Sequence, residues 1–317
     1  MEFLRKNFLF LAPMAGYTNG ACRKIFRGEG GADGVVSEFV YSRAVLCGAE
    51  RVFEKLAFDS SERPFGIQIF GSDPAEMADA AQLIEEKLSP DFIDVNFGCP
   101  APNAVHAGAG AALLKDVPRM CAIIKRMSDS IKRTPITAKM RTGWGMKDII
   151  VPDAAVALEQ SGAKMITLHG RTKSQGYTGD ADWSLIERTA ENLSVKLIGN
   201  GSVEKLSMDA LRSSACYGFM IGRAALGNPW VFGEVRAKLE GIDYTPPTSS
   251  ERARLALNFA ELITSGSYVG ISPDNITHAR GQIIKFLKES RGFKKARVDI
   301  LKIKTLDELK NILCEFL

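Results

Sequence analysis

The feature of this 317-residue chain that most constrains its fold is a series of short apolar runs, rich in β-branched residues. Helix-length segments separate the runs, among them residues 74–88, 117–128 and 152–161, and this alternation predicts parallel strands joined by helices. The eight candidate strands are residues 8–14, 35–39, 65–70, 92–96, 136–140, 165–169, 195–199 and 218–221. Eight such units in roughly 240 residues predict an α/β fold, the (β/α)8 TIM barrel.

A doubly wound sheet is the alternative architecture. It calls for a GxGxxG turn after the first strand, where this chain reads Met14-Ala-Gly-Tyr17. The nearest match, Gly108-Ala-Gly110, follows the fourth strand and lacks the third glycine. The sequence therefore argues against a dinucleotide-binding Rossmann domain.

A Pro- and Ser-rich stretch at residues 244–250 is typical of a linker. It divides the chain into a barrel of residues 1–243 and a small all-helical C-terminal domain of residues 251–317. Helices are predicted at 229–239, before the linker, and at 249–263, 273–289 and 305–316, with Ser249 or Ser250 as a cap.

The net charge of +4 is unevenly distributed along the chain. Residues 1–244 carry 29 cationic and 29 acidic side chains, whereas residues 245–317 carry 12 and 8. Eight of these cations fall between Lys285 and Lys304. A solvated helix face accounts for such a run, and so does a surface that binds a polyanion such as RNA.

Composition narrows the class of protein. With 45% hydrophobic and 25% charged residues, the chain matches an ordinary folded protein, and no run approaches the ~18 apolar residues of a membrane span. The opening apolar run is too short for a signal peptide, so a cytoplasmic location without membrane attachment is expected. The six cysteines form no CxxC pair and there are three histidines, which predicts reduced thiols and no metal site.

Each predicted strand closes with a residue at or near its end that would lie at one face of a barrel, and most of these residues are polar. In a TIM barrel these positions surround the active site. They are Met14, Glu38, Gln68, Asn96, Lys139 with Arg141, His169, Asn200, and Gly222 with Arg223. A polar basin at this end of the barrel is therefore predicted.

Two consecutive glycine-bearing loops, Gly199-Asn-Gly-Ser202 and Gly222-Arg223, indicate a phosphate-bearing ligand. Lys139 is expected to point into the mouth of the barrel, where a cation needs an anion or a dipole as partner. A flavin fits, because a cation stabilises its reduced ring, and Gln68 and His169 could hydrogen-bond its rim. The alternatives are a buried Lys139–Glu38 pair and a structural histidine.

Cys99 lies in the loop after the fourth strand, within Asp94-Val-Asn-Phe-Gly-Cys-Pro100. A thiol in an active-site loop can act as a nucleophile or a general acid. The other five cysteines lack such a position and are predicted to be small apolar residues.

The ordered motifs resemble those of the tRNA-dihydrouridine synthases. They are Leu11-Ala-Pro-Met-Ala-Gly16, Gln68-Ile-Phe-Gly71, Asn96-Phe-Gly-Cys-Pro100, Gly108-Ala-Gly-Ala-Ala-Leu113, Lys139-Met-Arg141, His169-Gly-Arg-Thr172 with Gln175, Tyr177 and Ala181-Asp-Trp183, Gly199-Asn-Gly201 and Gly222-Arg223. The resemblance implies an FMN-bound barrel with a helical RNA-binding domain, which reduces uridine in tRNA to 5,6-dihydrouridine using NADPH. Hydride from reduced FMN would reach C6 of a flipped uracil and Cys99 would protonate C5.

The resemblance also assigns roles to residues. The FMN contacts it implies are Pro13, Met14, Ala15, Gln68, Lys139, His169, Asn200, Gly201, Ser202, Gly222 and Arg223. The expected tRNA contacts are Asn96, Arg141, Arg171, Arg280, Lys285, Lys288, Lys294, Lys295 and Arg297, the last five lying in the basic stretch. A monomer is expected.

The chain departs from the family pattern at three places. Ser202 stands where the family usually has Asp, residues 101–106 lack the usual lysine, and Arg280-Gly-Gln282 replaces an Arg-Lys-His signature of one subgroup. The subgroup and the target uridine stay open. An FMN enzyme of the dihydroorotate dehydrogenase kind, acting on a free pyrimidine, and an RNA-binding protein without catalysis are the competing functions.

Overall fold

The computed structural model describes residues 1–266, 268 and 276–316. Its strands are β1 (Phe8–Leu11), β2 (Gly34–Val36), β3 (Val40–Tyr41), β4 (Phe65–Phe70), β5 (Phe92–Phe97), β6 (Ile136–Arg141), β7 (Met165–His169), β8 (Lys196–Asn200) and β9 (Gly218–Ile221). All pairings between them are parallel. β9 pairs with β1 and β2 pairs with β4, so eight strands close in the order β1-β2-β4-β5-β6-β7-β8-β9. The predicted TIM barrel is confirmed.

Helices connect the strands and complete the C-terminal segment. In the described residues they are α1 (Gly20–Arg27), α2 (Ser42–Leu46), α3 (Glu50–Leu56), α4 (Pro74–Leu88), α5 (Pro102–His106), α6 (Val117–Ser130), α7 (Asp153–Gln160), α8 (Trp183–Glu191), α9 (Met208–Ser213), α10 (Val231–Glu240), α11 (Ser249–Ser265), α12 (Ile276–Phe286), α13 (Phe293–Ile300) and α14 (Leu306–Leu313). None of them has the length and apolarity needed to cross a bilayer.

The helices begin where local chemistry satisfies their first N–H groups. The carboxylate of Asp73 accepts the backbone N–H groups of Ala75 and Glu76, and Pro74 opens α4 with its φ already fixed. Asp116 accepts from Arg119 at the start of α6 in the same way. Both starts follow from the sequence.

The second predicted strand, residues 35–39, is divided in the structure. β2 ends at Val36, and the short β3 pairs with β4 only. The Ser37 hydroxyl accepts the backbone N–H of Gln68 at 3.1 Å, so a side chain takes the place of a ladder carbonyl. The strand pairing is interrupted there, which a run of apolar residues does not reveal.

The first C-terminal helix differs from the prediction in the residue that caps it. α11 begins at Ser249, but Thr248 rather than Ser249 or Ser250 caps it, through a reciprocal capping box with Glu251. The start of the predicted helix at 273–275 lies outside the described residues, and α12 spans Ile276–Phe286.

The C-terminal helices pack against one side of the barrel mouth. Gln282 of α12 donates to the Gly16 carbonyl at 3.0 Å and accepts from the Cys22 thiol at 3.2 Å. The backbone and Cβ of Lys285 pack so closely against Gly227 that a Cβ at Gly227 would lie 2.2 Å from the Lys285 Cβ. Because Gly16 follows β1 and Gly227 follows β9, the helices flank this edge of the mouth. A single apolar cluster runs from the barrel into α11, α12, α13 and α14.

Candidate active site

A cavity of about 690 Å³ opens at the carboxyl ends of the barrel strands. Most of the residues predicted for the site line it: Pro13, Met14, Ala15, Asn96, Cys99, Lys139, Arg141, His169, Arg171, Asn200, Gly201, Ser202, Gly222 and Arg223. Tyr17, Phe39, Tyr177 and Glu204 also line it, and the sequence analysis gave none of them a role. The structure thus brings together residues from seven of the eight barrel strands or the loops that follow them.

The cation on the floor of the cavity is Lys139 of β6. Its ammonium group donates to the Asn200 amide oxygen at 2.8 Å, and the Asn200 amide nitrogen donates to the Met220 carbonyl at 2.7 Å. Burial, followed by repulsion from Arg141, lowers the pKa of Lys139 to about 8. The alternative Lys139–Glu38 ion pair does not form.

Glu38 is instead neutralised by Lys55, 2.7 Å away. Lys139 therefore lacks a bonded carboxylate among the described residues. A partly buried ammonium group held by one amide oxygen is costly unless an electron-rich ligand adds to it. The donor set fits the anionic ring of a reduced flavin.

His169, at the end of β7, is a neutral imidazole. Burial, with repulsion from Lys139 and three arginines, holds the pKa of His169 well below its usual value. Its Nε2 lies 3.2 Å from an Arg171 guanidinium nitrogen. Because a guanidinium only donates, Nε2 accepts and the ring proton is on Nδ1.

Arg171 holds its own loop in place. Its guanidinium donates to the Gly179 carbonyl at 2.7 Å and to the Ser202 hydroxyl at 2.9 Å. Ser202 therefore provides a neutral acceptor for Arg171. The cavity lining contains four cationic side chains, at positions 139, 141, 171 and 223, and one carboxylate, that of Glu204, so its charge is positive.

The loop after β8 needs glycine at position 201. Gly201 has φ +111°, and a Cβ there would lie 2.8 Å from the His169 ring and 2.9 Å from Ala181. The Trp183 indole N–H donates to the Gly201 carbonyl at 3.0 Å. Next to this loop, Gly222 and the exposed Arg223 open a short 3-10 turn. Two adjacent backbone loops and a guanidinium are suited to a phosphate group.

Cys99 lies in a loop that Asn96 shapes. The Asn96 amide oxygen accepts the backbone N–H groups of Gly98 at 2.9 Å and of Cys99 at 2.8 Å. Burial raises the pKa of the Cys99 thiol, more than the nearby cations Arg141 and Lys139 lower it. The thiol is therefore protonated at neutral pH and can donate a proton.

Gln68, predicted to hydrogen-bond a flavin, lies below the cavity rather than in its lining. It is fully buried, and its amide oxygen accepts from Asn96 at 2.8 Å. Its amide nitrogen donates to Asp94 at 2.6 Å, and Asp94 also accepts from Thr137 at 2.5 Å. A chain of buried hydrogen bonds thus leads from Asp94 to the Cys99 loop.

Arg141 and Tyr177 form the wall of the mouth. The Arg141 guanidinium donates to the carbonyls of Gly98, Thr172 and Gly176, at 2.8 to 3.0 Å. The half-exposed ring of Tyr177 lies 4.1 Å from the Arg223 guanidinium carbon and 5.4 Å from that of Arg141. Arg141, predicted to contact substrate, thus ties two loops together at the cavity edge.

The predicted cations of the C-terminal segment lie outside the cavity lining. Lys285 is nearest, with its ammonium group 4.2 Å from the ring centroid of Tyr17. Arg280 donates to the Ile303 carbonyl and is partly buried, and Lys295 pairs with Glu315 at 2.9 Å. The remaining three, Lys288, Lys294 and Arg297, are exposed. In the described chain, no group of three or more His, Cys, Asp or Glu side chains is placed to hold a metal ion.

Comparison with known proteins identifies close sequence relatives. Residues 10–314 match the family model described as dihydrouridine synthase (Dus). The chain is 34% identical over 297 residues to a probable tRNA-dihydrouridine synthase of Treponema pallidum, covering 90% of this chain and 86% of the relative. It is 35% identical over 263 residues to tRNA-dihydrouridine synthase B of Pseudomonas aeruginosa, covering 81% and 77%.

Solved structures share the architecture at much lower identity. The old yellow enzyme of Trypanosoma cruzi superposes with a TM-score of 0.50 at 9% identity, covering 77% of this chain and 90% of that protein. Morphinone reductase in complex with tetrahydroNAD gives a TM-score of 0.50 at 11% identity, with coverage of 77% and 90%. At these identities the likeness shows the fold alone.

Proposed function

Because the chain belongs to the dihydrouridine synthase family and is a flavin-dependent oxidoreductase, we propose that it reduces uridines of tRNA to 5,6-dihydrouridine, with FMN as cofactor and NADPH as reductant. The observation that carries the proposal is the presence of the Cys99 thiol, the Lys139 ammonium group and the Arg223 guanidinium around one cavity.

The residues of the lining suit FMN. Gly201, Ser202, Gly222 and Arg223 would hold its phosphate, and Lys139 would offset negative charge on the ring system. The neutral His169 offers an N–H donor, and the loop of residues 13–15 offers backbone groups. When bound, the flavin supplies hydride to C6 of the uracil.

Cys99 has the properties of the matching proton donor. Its Sγ holds a proton at neutral pH because burial raises its pKa, and that proton passes to C5 of the uracil. Hydride at C6 and a proton at C5 together saturate the C5–C6 double bond, and the thiolate regains its proton from solvent. Asn96 holds the loop that carries this thiol.

The tRNA would be bound largely by the basic helices of residues 251–317. Lys285, Lys288, Lys294, Lys295 and Arg297 would contact phosphates, with Arg141 and Arg171 near the nucleotide and Asn96 at the reacting base. Arg280 would support the fold of α12 through Ile303. The target base would have to leave the tRNA fold to reach the cavity. We further propose a monomer acting in the cytoplasm, divided at residues 244–250.

One anaerobic experiment tests the reaction. The purified protein is reduced with NADPH, tRNA without modifications is added, and return of the oxidised-flavin absorbance is followed beside a dihydrouridine assay. Reoxidation accompanied by new dihydrouridine is expected. Reoxidation by orotate and not by tRNA would overturn the proposal in favour of a free pyrimidine substrate.

A variant tests the proton donor separately. Cys99→Ala should retain bound flavin and its reduction by NADPH, while dihydrouridine formation is lost. Cys121→Ala, in α6, is the matched control and should retain full activity. Full turnover by Cys99→Ala would overturn the assignment of Cys99.

A further inference from the structure

Two lysines from different loops converge on one indole ring at the barrel mouth. The ammonium nitrogen of Lys115 lies 3.7 Å from the ring centroid of Trp144, and that of Lys173 lies 4.3 Å from it. Lys115 follows β5, Trp144 follows β6 and Lys173 follows β7. These three residues are called the lysine–tryptophan cluster below.

Backbone hydrogen bonds fix the cluster in place. The N–H of Lys173 donates to the Gly143 carbonyl, and that of Ser174 donates to the Trp144 carbonyl, each at 2.9 Å. Gly143 and Ile149 form an antiparallel bridge that closes the Trp144 loop. The ring is a fixed support, and its contact with each ammonium group limits the motion of two flexible side chains before any ligand arrives.

The cluster carries positive charge that the surrounding protein does not neutralise. Neither Lys115 nor Lys173 forms an ion pair with another described residue. Of the nearby carboxylates, Asp116 caps α6 and Asp148 lies in the Trp144 loop, whereas Lys147 adds a further exposed cation. Two like charges held against one ring repel each other, and an anion relieves that repulsion.

The position of the cluster follows from the order of the strands. In the closed ring of eight strands, β6 lies opposite β1 and β5 lies opposite β9. The C-terminal helices contact the loops after β1 and β9, through Gly16 and Gly227. The cluster therefore lies across the mouth from the basic helices, with the cavity between the two.

We propose that the lysine–tryptophan cluster is a second phosphate-binding surface for tRNA, on the opposite side of the active site from the basic helices. This proposal rests on the proposed function. A polyanion whose base enters the cavity would extend to both sides of the mouth, and cations on both sides hold its backbone there. A dinucleotide such as NADPH is too short to need both surfaces.

The test is direct binding of unmodified tRNA to the flavin-loaded protein at several salt concentrations. The double variant Lys115→Gln/Lys173→Gln should weaken binding about tenfold at low salt and should reduce the salt dependence by about one to two released counterions. The rate of flavin reduction by NADPH should stay unchanged. The charge-preserving double variant Lys115→Arg/Lys173→Arg should bind tRNA as tightly as the unaltered protein does.

The chain provides a matched control. Lys87 lies 4.2 Å from the ring centroid of Phe53 and Lys196 lies 4.2 Å from that of Tyr217, both at the opposite end of the barrel. Lys87→Gln/Lys196→Gln makes the same change in net charge and in cation–ring contacts, and should bind tRNA as the unaltered protein does.

Two outcomes would overturn the proposal. One is an equal loss of tRNA binding in the two double variants, which would show that the net charge of the protein, and not the position of the cluster, determines the affinity. The other is a raised KM for NADPH with unchanged tRNA binding, which would assign the cluster to the dinucleotide. Failure of the proposed function is a separate result, because it appears as absence of dihydrouridine with the unaltered protein.

Discussion

The ammonium nitrogen of Lys139 lies 2.8 Å from the amide oxygen of Asn200, so a neutral group holds the cation on the floor of the cavity. The two residues come from β6 and β8, on either side of β7, and burial lowers the pKa of Lys139 to about 8. Without a ligand, keeping this cation in the cavity therefore costs the folded protein free energy. Binding of a negatively charged ligand beside Lys139 would offset that cost.

Lys139→Met should separate stability from cofactor binding. Removing a cation whose pKa is lowered in the folded state should raise the free energy of unfolding of the flavin-free protein by about 1–3 kcal/mol at pH 7. Affinity for flavin should fall at least tenfold. Thermal unfolding without cofactor and flavin fluorescence titration measure the two effects, and a variant that loses both stability and affinity would contradict this account.

The same lysine predicts a pH dependence of flavin binding. Below pH 8 the Lys139 side chain is a cation, and above pH 8 the flavin-free protein releases its proton. If the bound flavin favours the cation, affinity should fall as pH rises from 8 to 9, by roughly tenfold at most. Titrations at pH 7, 8 and 9 test this, and Lys139→Met should abolish the decline.

Asn96→Ala should impair catalysis more than cofactor binding. The substitution leaves the N–H groups of Gly98 and Cys99 without their acceptor, at a cost of about 1–3 kcal/mol for each group that stays buried and unpaired. We expect dihydrouridine formation to fall at least tenfold while flavin content stays near that of the unaltered protein. Asn103→Ala, an exposed change in α5, is the control. Normal product formation by Asn96→Ala would show that the loop keeps its shape without the amide.

The Cys99 thiol should react slowly with alkylating reagents at neutral pH. Its raised pKa keeps it in the unreactive thiol form, and burial restricts access. Mass spectrometry after iodoacetamide treatment at pH 7 to 10 should show the exposed Cys47 and Cys314 labelled first, with Cys99 labelling increasing at higher pH. Rapid labelling of Cys99 at pH 7 would indicate a thiolate and would argue against its role as proton donor.

Gly201→Ala should disturb the loop that we assign to phosphate. The added Cβ meets the His169 ring at 2.8 Å in a backbone conformation that alanine rarely adopts. Gly179→Ala isolates the backbone effect, because Gly179 has φ +64° and open space around it. We expect the control to lose about 1–2 kcal/mol of stability and to keep flavin, and Gly201→Ala to lose more stability together with its flavin. Equal losses of stability and flavin in both variants would show that backbone strain alone, and not the contact with His169, causes the effect.

The barrel was predictable from sequence because its strands are continuous apolar runs separated by helix-length segments. The cavity followed from the same fact, since the carboxyl ends of parallel strands meet at one face. The depth of Gln68 below the mouth was not predictable, because it depends on the register of the strands. It pairs with Asp94, one layer below the level at which Asn96 pairs with Lys139.

Other parts of the site depend on contacts between distant loops. The approach of Arg223 and Arg141 to Tyr177, and of Lys115 and Lys173 to Trp144, has no local signal in the sequence. The cap of α11 was a choice among three neighbouring hydroxyls, and only the reciprocal bond with Glu251 selects Thr248. The sequence alone did not show which of these three hydroxyl groups caps the helix.

The contact of Gln282 with Gly16 and Cys22 has a consequence for how the protein unfolds. The apolar core is continuous between the barrel and the C-terminal helices, on both sides of residues 244–250. A protein shortened before residue 244 would expose apolar side chains that α12 now covers and would release the carbonyl of Gly16, next to the loop that lines the cavity. The two parts should melt in one cooperative transition, so heat that detaches the helices also opens the cofactor site.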